Sequence, residues 1–355
     1  LMRSGELQEA ARADRPLRAM AMLSDPRFLD RLVGMQEDFV AACNDAEAIL
    51  YHPGASIGHF IARDKGIPSI LGSPFPLLET GEYPALLFFP MHPPRFLNRA
   101  THRLFQRLFW TATKKPVQLY YERQGRRDVR LENPTASGDL KLVSCSPCVF
   151  PMPAASNAYG YWFLDAPAAH DPPKELTDFL GKGEKPVYVG FGSIGNGPEA
   201  EQVTRRVVDA LGRTGSRAVL ATGSGGLARM ADLPDSCLVV EAVPHAWLFP
   251  RCALAIHHGG ASTTAEGFRA GIPMVVIPHG NDQFAWGQRV RELGTGPAPI
   301  PVKRLSVERL AAAIDAARMP KVVESARKLG EQVAREHGAR DAAARVLGHI
   351  RKAFP

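Results

Sequence analysis

Residues 253–301 read ALAIHHGGASTTAEGFRAGIPMVVIPHGNDQFAWGQRVRELGTGPAPIP, and this run decides the fold. Ala253–His257 is a short apolar strand, Gly259 and Gly260 make a turn, and Ser262–Ala270 has helical spacing. Pro273–Ile277 is a second apolar strand, followed by a Pro-His-Gly-Asn turn and a helix over Phe284–Glu292. Strand and helix alternating in this way imply a parallel sheet. The unusual residues, His257, His258, Gly259, Gly260, Ser262, Thr263, Glu266, Asp282 and Gln283, fall at or just after the strands' carboxyl ends. Open α/β sheets bind ligands at that edge. A turn that presents backbone N–H groups at a helix start suits a phosphate. The Asp282–Gln283 pair suits a polyhydroxylated group attached to it, since a carboxylate accepts from hydroxyls while an amide both donates and accepts.

The same alternation extends outwards. Strands are expected at Pro186–Phe191, Arg217–Ala221, Cys237–Glu241 and, less strongly patterned, Pro297–Ile300; helices are expected at Glu199–Leu211, Ser306–Ala317, Lys321–Glu336 and Arg340–Arg351. In the amino-terminal half, Phe28, Leu32, Met35 and Phe39 mark one helix face. Ala48–Tyr51 and Ser69–Leu71 read as buried strands around a helix at Ile57–Lys65. A Pro-rich stretch, Pro74–Pro94, precedes a basic aromatic segment, Arg95–Lys115. Two readings of that segment stand: a helix lying on a membrane or greasy acceptor, or a helix packed on its own domain. The expected organisation is a first domain over 1–164, a linker over 165–174, a second domain over 175–335 and a terminal helix over 336–355. The fold class is α/β, with two doubly wound, Rossmann-like domains.

Lysine and arginine exceed aspartate and glutamate by 43 − 36 = +7. That balance fits an anionic ligand or membrane surface. The basic residues are dispersed and form no nucleic-acid module, so nucleic acid is not an expected partner. No apolar run reaches the ~18–20 residues of a membrane span. Five scattered cysteines make no disulfide framework. These features fit a cytoplasmic location, with peripheral contact at a membrane as the alternative.

Three motifs need weighing. Gly190-Phe-Gly192-Ser-Ile-Gly195 formally matches a dinucleotide fingerprint, but the next strand ends Ala221-Thr222-Gly223 without the acidic residue that a ribose needs. Cys145-Ser-Pro-Cys148 lacks a second pair for zinc and does not open a helix as a redox pair would. His257 and His258 are adjacent at a strand end and point to opposite faces, so they cannot easily share one ion. His258, with glycines clearing the space beside it, is taken as the ligand-facing residue. Ser262, Thr263 and Thr264 read equally as N-cap residues of the following helix.

Counted from His258, the residues Gly260, Ser262, Thr263, Glu266, Asp282 and Gln283 fall in one register, with Glu266 eight and Asp282 twenty-four positions on. This pattern resembles the donor-binding region of nucleotide-sugar-dependent glycosyltransferases of the GT-B fold, in their sterol and glycopeptide glucosyltransferase branch. Val243-Pro244-His245 is similar to the family's turn beside the nucleobase, and Lys185–Ser193 to its first strand and phosphate loop. The resemblance implies that Ser193, His258 and the amides around Gly260–Thr263 hold a diphosphate, Glu266 the ribose, and Asp282 with Gln283 the hexose. It implies transfer, with inversion and without metal or other cofactor, of a glucose-like hexose from a UDP- or TDP-sugar. The acceptor would be a hydroxyl on a sterol, polyketide, flavonoid or similar hydrophobic molecule. Members of the family begin with a strand and Gly-rich turn that carry the acceptor's general base; these are not found here, so an incomplete first domain and a base upstream of Leu1 are expected. His52 and His59 lie in the right domain without a clear orienting carboxylate. A non-catalytic nucleotide-sugar-binding helper is the rival reading, and an NAD-dependent oxidoreductase a distant third.

Overall fold

The strand–helix alternation folds, in the computed structural model, into two compact units built from parallel sheets. The structure describes residues 26–137, 140–164, 171–192, 198–223, 225–228, 230, 232–280 and 282–353. Among these, residues 26–163 with 336–353 form one unit and residues 164–335 the other.

The first unit contains α1 (Pro26–Ala42), β1 (Ile49–Tyr51), α2 (Ile57–Lys65), β2 (Ser69–Ser73), α3 (Asn98–Arg123) and β3 (Leu140–Val143). Its strands pair in parallel in the order β1-β2-β3. Side chains alternate across a strand, and the two faces go to different partners. Ile49, Tyr51 and Leu71 join Phe60 of α2 and Phe105, Val117 and Tyr121 of α3 in one core. Ile70, Leu140 and Leu142 face a smaller cluster with Ala342 and Val346 from the last helix of the chain. The basic segment at 95–115 is therefore a core-packed helix along much of its length, and it continues to Arg123 through Pro116. β3 has no counterpart in the sequence reading: LKLV is four residues long, too short for its period to stand out.

The second unit begins with α4 (Lys174–Leu180), so the helix starts inside the stretch read as linker; residues 165–170 lie outside the described residues. There follow β4 (Val187–Gly190), α5 (Pro198–Arg213), β5 (Ala218–Ala221), β6 (Cys237–Val240), α6 (His245–Leu248), β7 (Leu254–His257), α7 (Ala261–Ala270), β8 (Met274–Val276), α8 (Gln283–Glu292), α9 (Val307–Ala317) and α10 (Pro320–Val333). The chain ends in α11 (Gly338–Ala353), whose residues belong to the first unit. The five-stranded sheet has the order β6-β5-β4-β7-β8, all parallel. Val187, Val189, Leu254, Ile256 and Val275 meet Val203, Val207 and Leu211 of α5 and Leu310 and Ile314 of α9 on one face.

Two expectations are corrected. Pro297–Ile300 is not a strand. Ile300 N–H donates to Val276 O at 2.9 Å and Val302 N–H to Pro278 O at 3.1 Å, but prolines at 297, 299 and 301 remove the donors a ladder needs. Ser262, Thr263 and Thr264 are not N-cap residues of α7. The cap is Gly260, and the three hydroxyl residues lie inside the first turns.

Strand order reverses at β4: the chain runs outward through β5 and β6, then returns to place β7 on the other side of β4. The crevice beyond the carboxyl ends of β4 and β7 is thus the topological switch point, where open α/β sheets take ligands. Close helix contact supports this half of the sheet. A Cβ at Gly330 of α10 would lie 2.5 Å from the Gly271 Cα and 3.0 Å from the Phe268 carbonyl oxygen. Backbone cannot yield as a side chain does, so Gly330→Ala should destabilise the protein by about 1–3 kcal/mol. A Cβ at Gly212 of α5 meets nothing within 4 Å, and Gly212→Ala should stabilise it by up to about 1 kcal/mol. Urea unfolding of the two variants should shift the midpoint in opposite directions.

Candidate functional site

The candidate site is built from three βα turns of the second unit. Behind β4, Gly190 has no room for a side chain, because a Cβ would sit 2.2 Å from the Tyr188 hydroxyl. Gly192 follows at φ +62°, and a Cβ at Gly226, in the turn after β5, would lie 2.5 Å from Gly192 O. The turns after β4 and β5 therefore touch backbone to backbone, which only glycine permits. Ser193 lies outside the described residues.

The turn after β7 separates the two histidines. His257 is fully buried, and its Nδ1 accepts from Gly259 N–H at 3.1 Å. Its Nε2 finds no partner. His258 sits in a notch between glycines: Cβ atoms at Gly192 and Gly260 would come within 3.3 Å of its Cε1 and 2.5 Å of its Nε2. Its Nδ1 is buried without a hydrogen-bond partner. Burial pushes His258 down to about 4, with nearby His279 and His245 adding to the effect and the Gly190 backbone opposing it. His257 is pushed well below its usual value by burial, then by His258 and His245. Both rings are neutral at neutral pH.

α7 opens immediately after His258. Gly260 caps it in an extended conformation and has no side chain to bond the first N–H groups. The amides of Ala261, Ser262 and Thr263, which have no intrahelical acceptor, thus begin the helix uncapped. Ser262 is exposed and Thr263 buried, while the Thr264 hydroxyl turns back to Gly260 O at 2.8 Å. The positive end of the helix dipole adds ~0.3–1 kcal/mol towards an anion there. Glu266, one turn in, is half-buried and held by Arg269 at 2.6 Å. Burial raises its pKa and Arg269 opposes the rise.

Gly259 joins this turn to the next. It has φ +88°, and a Cβ would meet Val276 Cγ1 at 2.7 Å and Gln283 O at 2.9 Å. The start of α8 is therefore drawn against the His258 turn. There Asp282 Oδ2 accepts from Trp286 Nε1–H at 3.0 Å. Burial raises the Asp282 pKa and the Trp286 bond works against it. Gln283 Oε1 accepts from the backbone N–H groups of His279 at 2.7 Å and Gly280 at 3.3 Å. Its amide oxygen is thus engaged in shaping the turn. That modifies the sequence reading, in which the amide both donates and accepts.

His245 opens α6. Its Nε2 is 2.9 Å from the Tyr188 hydroxyl and its ring stacks on Phe249 with centroids 4.6 Å apart. Burial lowers it to about 4. In the first unit, His59 is buried against Ser69 at 3.0 Å. The exposed His52 caps its own turn, accepting from Gly54 N–H at 3.0 Å. Among the described residues, no three His, Cys, Asp or Glu side chains are grouped to hold an ion.

Sequence reading missed two contributors. One is the Gly223–Gly226 turn that presses on Gly192; a Gly-rich run after a strand was a readable signal. The other is Trp286, whose indole N–H orients Asp282 and whose i, i+4 spacing becomes meaningful only once the helix is placed.

Known proteins share this architecture. The family described as Erythromycin biosynthesis protein CIII-like, C-terminal domain, matches residues 205–350. Solved structures with the same fold include a glycosyltransferase of kitacinnamycin, with TM-score 0.66, 22% identity, and coverage of 97% of this chain and 84% of that one. Another is the spinosyn rhamnosyltransferase SpnG complexed with thymidine diphosphate, with TM-score 0.64, 17% identity, and coverage of 97% and 82%. The fold is that of the GT-B glycosyltransferases.

By sequence the chain is similar to a sterol 3-beta-glucosyltransferase of Arabidopsis thaliana, 33% identical over 313 residues, covering 86% of this chain and 49% of that protein. A sterol 3-beta-glucosyltransferase of Komagataella phaffii is 33% identical over 324 residues, covering 86% and 26%. The chain spans about half or less of the length of these curated relatives. The chain is thus similar in sequence to sterol 3-beta-glucosyltransferases and in fold to GT-B glycosyltransferases.

The buried histidines make stability depend on pH. In the unfolded chain they take up protons near 6.5, whereas folded His245 and His258 do so only near 4. Between those values the unfolded state binds more protons, so stability is highest above pH 6.5 and falls on acidification towards pH 4. Urea unfolding across that window should show the decline, and His258→Gln should make it shallower. A flat profile would contradict the burial of these two rings.

Proposed function

We propose that this chain takes part in hexosyl transfer: a glucose-like sugar passes from a nucleoside diphosphate to a hydroxyl of a hydrophobic acceptor such as a sterol or polyketide. The observation that carries the reading is the uncapped start of α7 beside His258, at the switch point of the sheet. Supporting it are the sterol glucosyltransferases among the relatives and a fold neighbour whose structure holds thymidine diphosphate.

In this reading His258 and the amides of Ala261–Thr263 hold the diphosphate; Ser193, outside the described residues, is proposed to join them. Glu266 takes the ribose, His245 lies towards the base, and Asp282 with the Gln283 NH2 takes the hexose hydroxyls. The acceptor oxygen attacks the anomeric carbon and passes its proton to water; the bond from that carbon to the diphosphate breaks, the nucleoside diphosphate leaves with that bonding pair, and configuration inverts. Charge builds on the departing diphosphate, where fixed N–H groups and the helix dipole stabilise it without reorganising. The same groups supply what a divalent cation would otherwise offer, so the transfer is proposed to need no metal. His258 enters neutral, and an arriving diphosphate raises its proton affinity, since a nearby anion favours the cationic ring.

Calorimetric titration with UDP, TDP, UDP-glucose and NAD tests the reading. UDP or TDP should bind and NAD should not; NAD binding without a response to either diphosphate would overturn it. Gly260→Ala, which drives a Cβ into the His258 ring, should weaken diphosphate binding by roughly tenfold or more, the scale of one lost charge-assisted hydrogen bond. Asp282→Ala should weaken UDP-glucose more than UDP, and equal losses would remove Asp282 from the hexose subsite. Hexose transfer from UDP-glucose to a sterol then decides between an enzyme and a binding protein.

A further inference from the structure

The first unit carries a surface that its own fold leaves unused. Of nine exposed large apolar side chains among the described residues, four lie between positions 91 and 104: Met91 at 68%, Phe96 at 82%, Leu97 at 40% and Leu104 at 46% exposure. They sit where a 3-10 turn over Leu86–Met91 gives way to a second over Arg95–Leu97 and then to α3. Leu97 closes the second 3-10 turn as the N-cap of α3, and Leu104 lies in the second turn of that helix. The inward side of α3 is spent on the core through Phe105, Val117 and Tyr121.

Charge accompanies the apolar groups. Residues 91–115 contain Arg95, Arg99, Arg103, Arg107, Lys114 and Lys115 and no aspartate or glutamate. Glu82 pairs with Arg95 at 2.6 Å, and Glu79 with Arg103 at 3.1 Å and Arg99 at 3.9 Å. Even so, these arginine side chains remain 73%, 62% and 66% exposed. Counting those two acids, the patch carries 6 − 2 = +4.

We propose that this patch docks the protein on an anionic lipid bilayer, with Met91, Phe96, Leu97 and Leu104 entering the headgroup–acyl boundary and the arginines on the lipid phosphates. Apolar side chains flanked by cations are what an interfacial segment needs, since acyl burial and attraction to anionic headgroups add together. A second copy of the chain is the poorer occupant, because two like-charged faces would repel. The proposal rests on this surface alone and does not depend on the nucleotide-sugar reading.

Co-sedimentation of the full chain with vesicles tests it, using phosphatidylcholine alone and with about 30 mol % phosphatidylserine, a strongly anionic composition. The protein should bind the anionic vesicles and leave them at about 1 M salt, where the screening length falls to about 3 Å. Met91→Ser with Phe96→Ser should lower partitioning by roughly tenfold, as apolar insertion is lost. Arg99→Glu with Arg107→Glu should abolish the preference for phosphatidylserine. All four positions are exposed, so unchanged urea unfolding shows that the variants fold. Equal binding to both vesicle types, or variants that bind like the parent, would overturn the proposal. So would self-association without vesicles that Met91→Ser with Phe96→Ser removes, which assigns the patch to a second copy.

Discussion

The close approach of Gly259 to the β8–α8 unit is the contact on which the candidate site depends. No side chain fits between it and Val276 Cγ1 or Gln283 O, and its φ of +88° is open only to glycine at little cost. Because Gly259 lies flat against that unit, the start of α7 and the start of α8 meet at one point on the sheet edge. Gly260 and Gly192 act on the same small volume from two sides and leave a notch the width of an imidazole. Loss of side chains at three positions thus defines where one side chain, His258, can stand.

Electrostatics follow from that packing. His257 and His258 are sequence neighbours with low proton affinity for the same primary reason, burial, yet their surroundings differ. His257 is walled into the sheet layer, its Nδ1 satisfied by the turn it precedes. His258 stands beside an uncapped helix start, where an anion would restore the proton affinity that burial removes. Asp282 and Glu266 are also shifted upward by burial, each with one partner, Trp286 or Arg269, holding it in place. The edge is therefore a set of polar groups oriented in advance, the arrangement that stabilises developing charge without reorganisation.

Much of this was legible before folding was considered. The apolar strands, the helices between them and the glycines at strand ends followed from period and punctuation, because buried parallel strands and amphipathic helices leave strong local patterns. The candidate site residues could be proposed from sequence because they cluster after two successive strands. What was not legible depended on groups distant in sequence. Ser262–Thr264 look like caps, and only helix placement shows that Gly260 takes that role. Pro297–Ile300 has strand-like composition, but its prolines leave it attached to β8 by isolated bonds. The segment at 95–115 carried two readings, and the structure divides it: an inward face packed in the core and an amino-terminal end whose apolar groups face out.

The sequence by itself determined the class of sheet and the edge at which the candidate site residues cluster, since both follow from local spacing and residue type. Tertiary structure alone decided how those groups are used. It set the strand order that makes β4 and β7 the switch point, and it placed the Gln283 oxygen on the backbone N–H groups of His279 and Gly280. It brought the Gly226 turn onto Gly192, and it gave the last helix to the first unit rather than the second. Each of these depends on which distant surfaces meet, and a periodic pattern records only that a face must be buried, not against what.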